Sequence, residues 1–271
     1  MSLEEYVAER RRWVDEYLSA HLRRCHDPHV HTLLEAMEYA LRGGKRIRAV
    51  LVMEGAELMG EKPERVLSTA AAVECFHAYS LVHDDLPAMD NAAERRGHPT
   101  THVRFGEATA ILAGDSLISL GFELITVEQW KYSLPQRVLR VSALFAEALG
   151  WRGLTGGQLM DLCGVAGVSS REEMHRRKTA ALFEASLTAG AILGGMGEDQ
   201  LTELKNFGTQ LGLTYQLVDD LLDGEIAHEN ENKARQRVEA QTQLALAALQ
   251  RFGKRGARLR ELTQFLAVRR L

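Results

Sequence analysis

The sequence predicts an all-α protein, and three observations carry that reading. Prolines are few: Pro28, Pro63, Pro87, Pro99 and Pro135 are the only ones, and none falls between Gln136 and Leu271. Apolar residues recur at three- and four-residue intervals. Val66, Ala70, Val73 and Phe76 form one such series, and Leu204, Phe207, Leu211, Tyr215 and Val218 another, each tracing one helical face. Alternating strand patterns and hairpin signals such as Asn-Gly between them are absent.

The periodicity predicts helices over 3–24, 32–42, 46–59, 64–86, 107–127, 135–149, 157–163, 171–195, 198–223, 229–251 and 257–268, with Gly, Pro or Asn in the short breaks. The first is charged and periodic from Met1 to Arg12, unlike the apolar core of a signal peptide. The third opens after Gly43-Gly44, and the fourth closes near Asp85 because Pro87 cannot continue a helix. The helices preceding Asp84 and Asp219 are nearly apolar all round, which predicts that they lie at the centre of a bundle. No linker, low-complexity tract or repeat divides the chain, so residues 1–271 read as one domain.

Composition narrows the function classes. With 271 residues, 45% hydrophobic and 26% charged, the chain is ordinary for a globular protein. A net charge of -4 gives no overall basic surface for nucleic acid. Cys25, Cys75 and Cys163 have neither disulfide nor metal-ligand spacing, which fits a reducing cytoplasm. No unbroken apolar run approaches the roughly 18 residues of a membrane span.

Two acidic clusters stand out: His83-Asp84-Asp85-Leu86-Pro87-Ala88-Met89-Asp90 and Asp219-Asp220-Leu221-Leu222-Asp223. Carboxylates gathered beside apolar sequence repel one another and are costly to desolvate unless a cation lies between them. A hard divalent ion such as Mg²⁺, shared between carboxylates and substrate phosphates, meets that need. Asp219 and Asp223, four residues apart, share a helical face. In the first cluster the loop after Pro87 can return Asp90 towards Asp84. Either cluster alone could merely cap a helix; both together, each closing an apolar helix, point to a diphosphate site.

Cations occur nearby in suitable settings. Gly43-Gly44-Lys45-Arg46-Ile47-Arg48 places three at a helix start, where free N–H groups favour anions. Arg95-Arg96-Gly97 follows the first acidic loop, Lys178-Thr179 opens an apolar stretch, and Gln216 shares a face with Asp219. Each is weak alone, and an isolated His77 on an apolar helix is ordinarily a core residue.

Taken in order, these residues resemble the trans-prenyl diphosphate synthases. The likeness runs through Gly43 to Arg48, Phe76-His77-Ala78-Tyr79-Ser80-Leu81-Val82-His83-Asp84-Asp85, Arg95-Arg96-Gly97-His98-Pro99-Thr100 and Phe105-Gly106-Glu107. It continues through Leu112-Ala113-Gly114-Asp115, Gly157-Gln158, Lys178-Thr179 and Tyr215-Gln216-Leu217-Val218-Asp219-Asp220, spanning roughly residues 30 to 250. The resemblance implies an isoprenoid-synthase-type bundle of antiparallel helices around a deep central cavity, a cytoplasmic homodimer, and head-to-tail prenyl transfer. It implies Mg²⁺, three ions per site with substrate, on Asp84, Asp85 and Asp90 and on Asp219, Asp220 and Asp223. Arg95, Lys178, Thr179 and Gln216 would complete the allylic site. Isopentenyl diphosphate would sit on Lys45, Arg48, His77 and Arg96. No side chain stands out as a general base.

Tyr79 lies five residues before Asp84, about 7.5 Å lower along the helix at 1.5 Å per residue. Tyr79-Ser80, with the Asp-Asp-x4-Asp spacing, resembles the bacterial farnesyl type, in which an aromatic blocks the growing tail. The chain departs from the pattern at Ala92 and Ala93, where many relatives carry aspartates. It departs again after Asp223, where Gly224-Glu225 runs almost directly into Glu229-Asn230-Glu231-Asn232-Lys233-Ala234-Arg235. The stretch from Asp161 to Lys178 is also short. Either the closing loop is deleted, which puts catalysis in doubt, or the sequence omits it. The alternatives to a farnesyl diphosphate synthase are a geranylgeranyl diphosphate synthase, a class I terpene cyclase and a non-catalytic subunit of a heteromeric synthase.

Overall fold

The computed structural model describes residues 1–25, 27–164, 167–222 and 231–268. The chain begins with α1 (Leu3–Arg24), whose start is fixed by a capping box: Ser2 accepts from the Glu5 amide and the Glu5 carboxylate accepts from the Ser2 amide. It continues through α2 (His31–Ala40), α3 (Ile47–Glu57), a 3-10 turn at Pro63–Val66 and α4 (Leu67–Asp84). A hairpin of β1 (Glu94–Arg95) and β2 (His98–Pro99) precedes α5 (Thr101–Phe105) and α6 (Glu107–Glu123). Then come α7 (Pro135–Leu149), α8 (Leu154–Leu162), α9 (Val168–His175) and α10 (Ala181–Gly194). The described residues end with α11 (Glu198–Leu222), α12 (Glu231–Ala248) and α13 (Ala257–Val268).

The helical reading is borne out, with corrections. The hairpin and α5 are absent from the sequence-based series; each is too short to carry a period. The expected helix over 171–195 is broken by a π-helical turn at Arg176–Ala180, so that α9 and α10 are separate. The helix expected over 157–163 starts earlier, at Leu154. The helix before Asp84 is central as expected: α4 buries its residues from Ser68 to Phe76 without interruption. The helix before Asp219 is so only in part. α11 buries one face in its first half, through Leu201, Leu204 and Phe207, with Glu203, Lys205 and Asn206 outside it, and is buried all round only from Leu211 to Thr214. The second central helix is α10, buried from Ala185 to Leu193.

The core forms where α10 crosses α3 and α4 packs on α6. At the first crossing Gly190 replaces a side chain outright: a Cβ there would lie 1.8 Å from the Val52 carbonyl oxygen. The stretch Glu107–Lys131 is long and apolar enough to span a membrane, at a mean hydropathy of 1.6. Part of it packs on α4, and Leu117, Leu120, Leu124 and Ile125 are buried there. Its other face leaves Ile111 and Leu112 exposed.

Candidate active site

α4 ends at Asp84, and the loop after Pro87 folds back on it. The Asp90 amide donates to the Asp84 carbonyl at 2.9 Å, and the Ala92 amide to the Asp85 carbonyl at 3.1 Å. Asp90 thus returns to Asp84 as the sequence predicts. The carbonyls of Ala92 and Ala93 accept from Thr100, so these two positions serve the loop's backbone. Asp85 is buried and held by Arg95, whose Nε donates to Oδ1 at 2.9 Å and to Oδ2 at 3.1 Å, while Nη2 donates to Oδ1 at 2.8 Å. The hairpin makes this possible. Arg96 and Gly97 both have positive φ, 55° and 75°, in a two-residue turn that suits tightly paired strands.

Asp84 is the less compensated carboxylate. Burial pushes its pKa up to about 6; Lys178 opposes the shift, Asp90 and Asp85 add to it, and Arg95 opposes. Lys178 and Thr179 sit in the π-helical turn between α9 and α10, a distortion that recurs at functional sites. The Thr179 hydroxyl donates to Gln216 Oε1 at 2.6 Å, and Gln216 Nε2 donates to Asp220 Oδ1 at 2.7 Å. His175 Nδ1 approaches Asp220 Oδ2 at 3.7 Å. The Lys178–Thr179 step therefore acts on Asp84 by charge and reaches Asp220 by hydrogen bonds through Gln216. Asp219 closes the circuit by acting on Arg48.

A basic pocket adjoins these clusters. His77, half-buried on α4, has its pKa driven well below the usual range by burial and then by Arg48, Arg96, Arg46 and Arg95, so it is neutral among four guanidinium groups. Arg48 lies over the Phe183 ring at 4.6 Å, and its Nε is buried without a hydrogen-bond partner. Arg96 crosses Gly44, where a Cβ would meet its Nη1 at 3.1 Å. Arg46 serves the scaffold instead, buried and paired to Asp15 at 2.8 Å and Glu74 at 3.3 Å. Arg48 and Arg96 both act on His77. Lys45 does not join them here; it is exposed and lines a groove with α1 and α13.

Tyr79 is buried on α4 and edge-on to His83 at 5.8 Å. Ser80 donates to the His77 carbonyl at 2.9 Å, a purely local bond. Asp223 and the shortened connection after it fall on residues 223–230, outside the described residues. Sequence reasoning missed Asp161, which accepts from Lys178 Nζ at 2.5 Å. It missed His175 as well. Both lie in the region around the π-helical turn, which no periodic signal marks.

No three His, Cys, Asp or Glu side chains form a ready-made metal cage among the described residues. The donors nevertheless fit Mg²⁺. They are carboxylate oxygens, and the half-buried Asp84 carries like charges beside it that a divalent cation would offset. Mg²⁺ characteristically takes one or two carboxylates and leaves its remaining positions to water and phosphate.

The chain is similar throughout to solved structures. An FPP/GFPP synthase from Zymomonas mobilis superposes with a TM-score of 0.90 at 35% identity, covering 98% of this chain and 99% of that one. A geranyltransferase from Legionella pneumophila gives 0.90 at 31% identity, covering 98% and 96%. The all-α isoprenoid synthase fold is therefore that of this chain. Farnesyl diphosphate synthase of Geobacillus stearothermophilus is 41% identical over 237 residues, 86% of this chain and 79% of the relative. Geranylgeranyl pyrophosphate synthase 12, chloroplastic, of Arabidopsis thaliana is 44% identical over 196 residues, 70% of this chain but only 54% of the relative. The chain thus spans little more than half the length of that plant relative. The profile of one family, polyprenyl synthetase, matches residues 30–265. By that match and these identities, the chain belongs to the polyprenyl synthetase family.

Proposed function

We propose that this protein is a Mg²⁺-dependent short-chain prenyltransferase that joins isopentenyl diphosphate head-to-tail to dimethylallyl or geranyl diphosphate, giving (2E,6E)-farnesyl diphosphate. The observation that carries the reading is the Lys178–Thr179 turn, whose lysine favours the Asp84 anion and whose threonine is hydrogen-bonded through Gln216 to Asp220. One diphosphate between these groups would meet carboxylates for metal on both sides and fixed cations alongside. Asp84, Asp85 and Asp90 would hold Mg²⁺ from one side and Asp219, Asp220 and Asp223 from the other. When bound, Mg²⁺ supplies positive charge against the leaving diphosphate oxygens.

The chain's own groups do the rest. Arg95 and Lys178 orient the allylic diphosphate and stabilise the charge that grows on it as the C1–O bond breaks and the electron pair goes to oxygen. At an effective dielectric near 20, one unit-charge contact at 4 Å is worth about 4 kcal/mol before desolvation. Thr179 and Gln216 fix the turn and Asp220 relative to each other. Arg48, Arg96 and neutral His77 receive isopentenyl diphosphate without a metal of its own, and the unpartnered Arg48 Nε supports an anion there. Lys45, exposed on the α1 side, is left without a contact in this reading. The double bond of isopentenyl diphosphate attacks the allylic cation, and the proton then lost passes to the departing diphosphate.

Buried Tyr79, with Ser80 beside it, supports a C15 product by closing the channel below Asp84. The exposed apolar residues Val103, Ile111 and Leu112 on α5 and α6 support a homodimer. The fold and the bacterial relative support a cytoplasmic location. The test is incubation with Mg²⁺, labelled isopentenyl diphosphate and separate C5, C10 and C15 allylic diphosphates. Farnesyl diphosphate from C5 and C10, with the C15 substrate left unused, is expected. A C20 product would replace the farnesyl assignment with a geranylgeranyl one, and a hydrocarbon or no turnover would end the reading. Tyr79→Ala is expected to shift output to C20; unchanged C15 output would remove Tyr79 from length control.

A further inference from the structure

Lys178 has a partner that the site's aspartate clusters do not include. Its Nζ donates to Asp161 Oδ2 at 2.5 Å. The contact is built in by the local packing. α8 lies directly on the π-helical turn because Gly157 carries no side chain: a Cβ there would fall 2.3 Å from the Lys178 amide nitrogen. Asp161 is four residues further along α8, so it shares the face of Gly157 and meets the Lys178 side chain where it leaves the turn. The same ammonium is the strongest charge acting in favour of the Asp84 anion. Lys178 is thus bonded to Asp161 while its charge serves Asp84.

We infer that Asp161 is a positioning residue for Lys178, fixing the ammonium at the place where charge develops on the leaving diphosphate. The inference rests on the prenyl-transfer reading above. A lysine is a flexible point charge, and its value to a transition state depends on where it is held. The pair itself is partly exposed, at 29% for Lys178 and 41% for Asp161, so it adds little to stability. Its contribution is geometric.

The test combines kinetics with chemical labelling. Asp161→Asn is expected to lower kcat about tenfold while KM for the allylic diphosphate moves less than about twofold, since placement matters most when charge has developed. Asp161→Glu should restore most of that loss, and the melting temperature should stay within a degree or so of wild type. In a Lys178→Met background, Asp161→Asn should have no further effect. Acetylation of Lys178 by an N-hydroxysuccinimide ester, read by mass spectrometry without substrates, should quicken at least about threefold in Asp161→Asn as the ion pair is lost. Equal losses of kcat in both backgrounds, or unchanged labelling of Lys178, would overturn the inference. A wild-type protein that fails to turn over would sink the prenyl-transfer reading instead, and the labelling result would still judge Asp161.

Discussion

At the end of α4 Asp85 is held by a guanidinium, whereas at the end of α11 Asp220 accepts a hydrogen bond from a neutral amide. Asp85 takes three hydrogen bonds from one guanidinium, and Asp84 is half-buried with Lys178 acting on it. Asp220 instead accepts from the Gln216 amide, which is itself pinned by Thr179. The difference teaches which wall is sensitive to charge. Where carboxylates are buried among formal charges, removing one unbalances the rest; where an amide is the partner, a neutral side chain of the same shape is better tolerated.

The largest expected effect breaks the comparison directly. Asp84→Asn should lower kcat by about three orders of magnitude, while Asp220→Asn should cost about two, with the polypeptide still folded by circular dichroism. Equal losses would mean that the two walls act as one unit and that their different partners are irrelevant. The next effect separates the acidic walls from the basic pocket. Arg48→Met should raise KM for isopentenyl diphosphate by roughly 30- to 100-fold and leave KM for the allylic substrate within about threefold. A parallel rise in both would place Arg48 in the allylic site instead.

The first wall was also the more legible in sequence. Asp85 and Arg95 are ten residues apart, and Pro87 between them and Arg96-Gly97 just after them announce the turns that bring them together. The loop's return of Asp90 to Asp84 followed from the same proline. The second wall depends on contacts that no local pattern encodes. Thr179 meets Gln216 across 37 residues, and Lys178 meets Asp161 across 17. Both depend on a π-helical turn, an inserted residue that leaves the apolar period on either side nearly intact, so the sequence reads as one helix. Family resemblance supplied Lys178, Thr179 and Gln216, but it did not supply Asp161 or His175. Lys45 illustrates the converse: its motif placed it beside Arg48, yet the left-handed backbone of Arg46 comes between them, and the chain there turns the lysine out towards α1.

The smallest effect tests whether the site's scaffold is as charge-dependent as its first wall. α3 opens beside the basic pocket at Ile47 and Arg48, and its far end carries Glu54, buried against Tyr6 of α1 and Arg258 of α13. Burial raises the Glu54 pKa to about 7; Tyr6 opposes, Glu57 adds, and Arg258 and Arg10 oppose. The folded pKa exceeds the unfolded one, so between about 4.5 and about 7 the native state binds a proton that the unfolded chain has released. Stability therefore falls as pH rises through that window and levels off above it. The full difference is on the order of 3 kcal/mol. Glu54→Gln should flatten this part of the profile and raise the urea midpoint at pH 8, by less than the full difference because the amide gives up the charge facing Arg258. Urea titrations of both proteins from pH 4.5 to 8.5 decide it. A variant that keeps the wild-type slope would show that Glu54 stays ionised in the native protein and that α1, α3 and α13 are joined by charge, as the first acidic wall is.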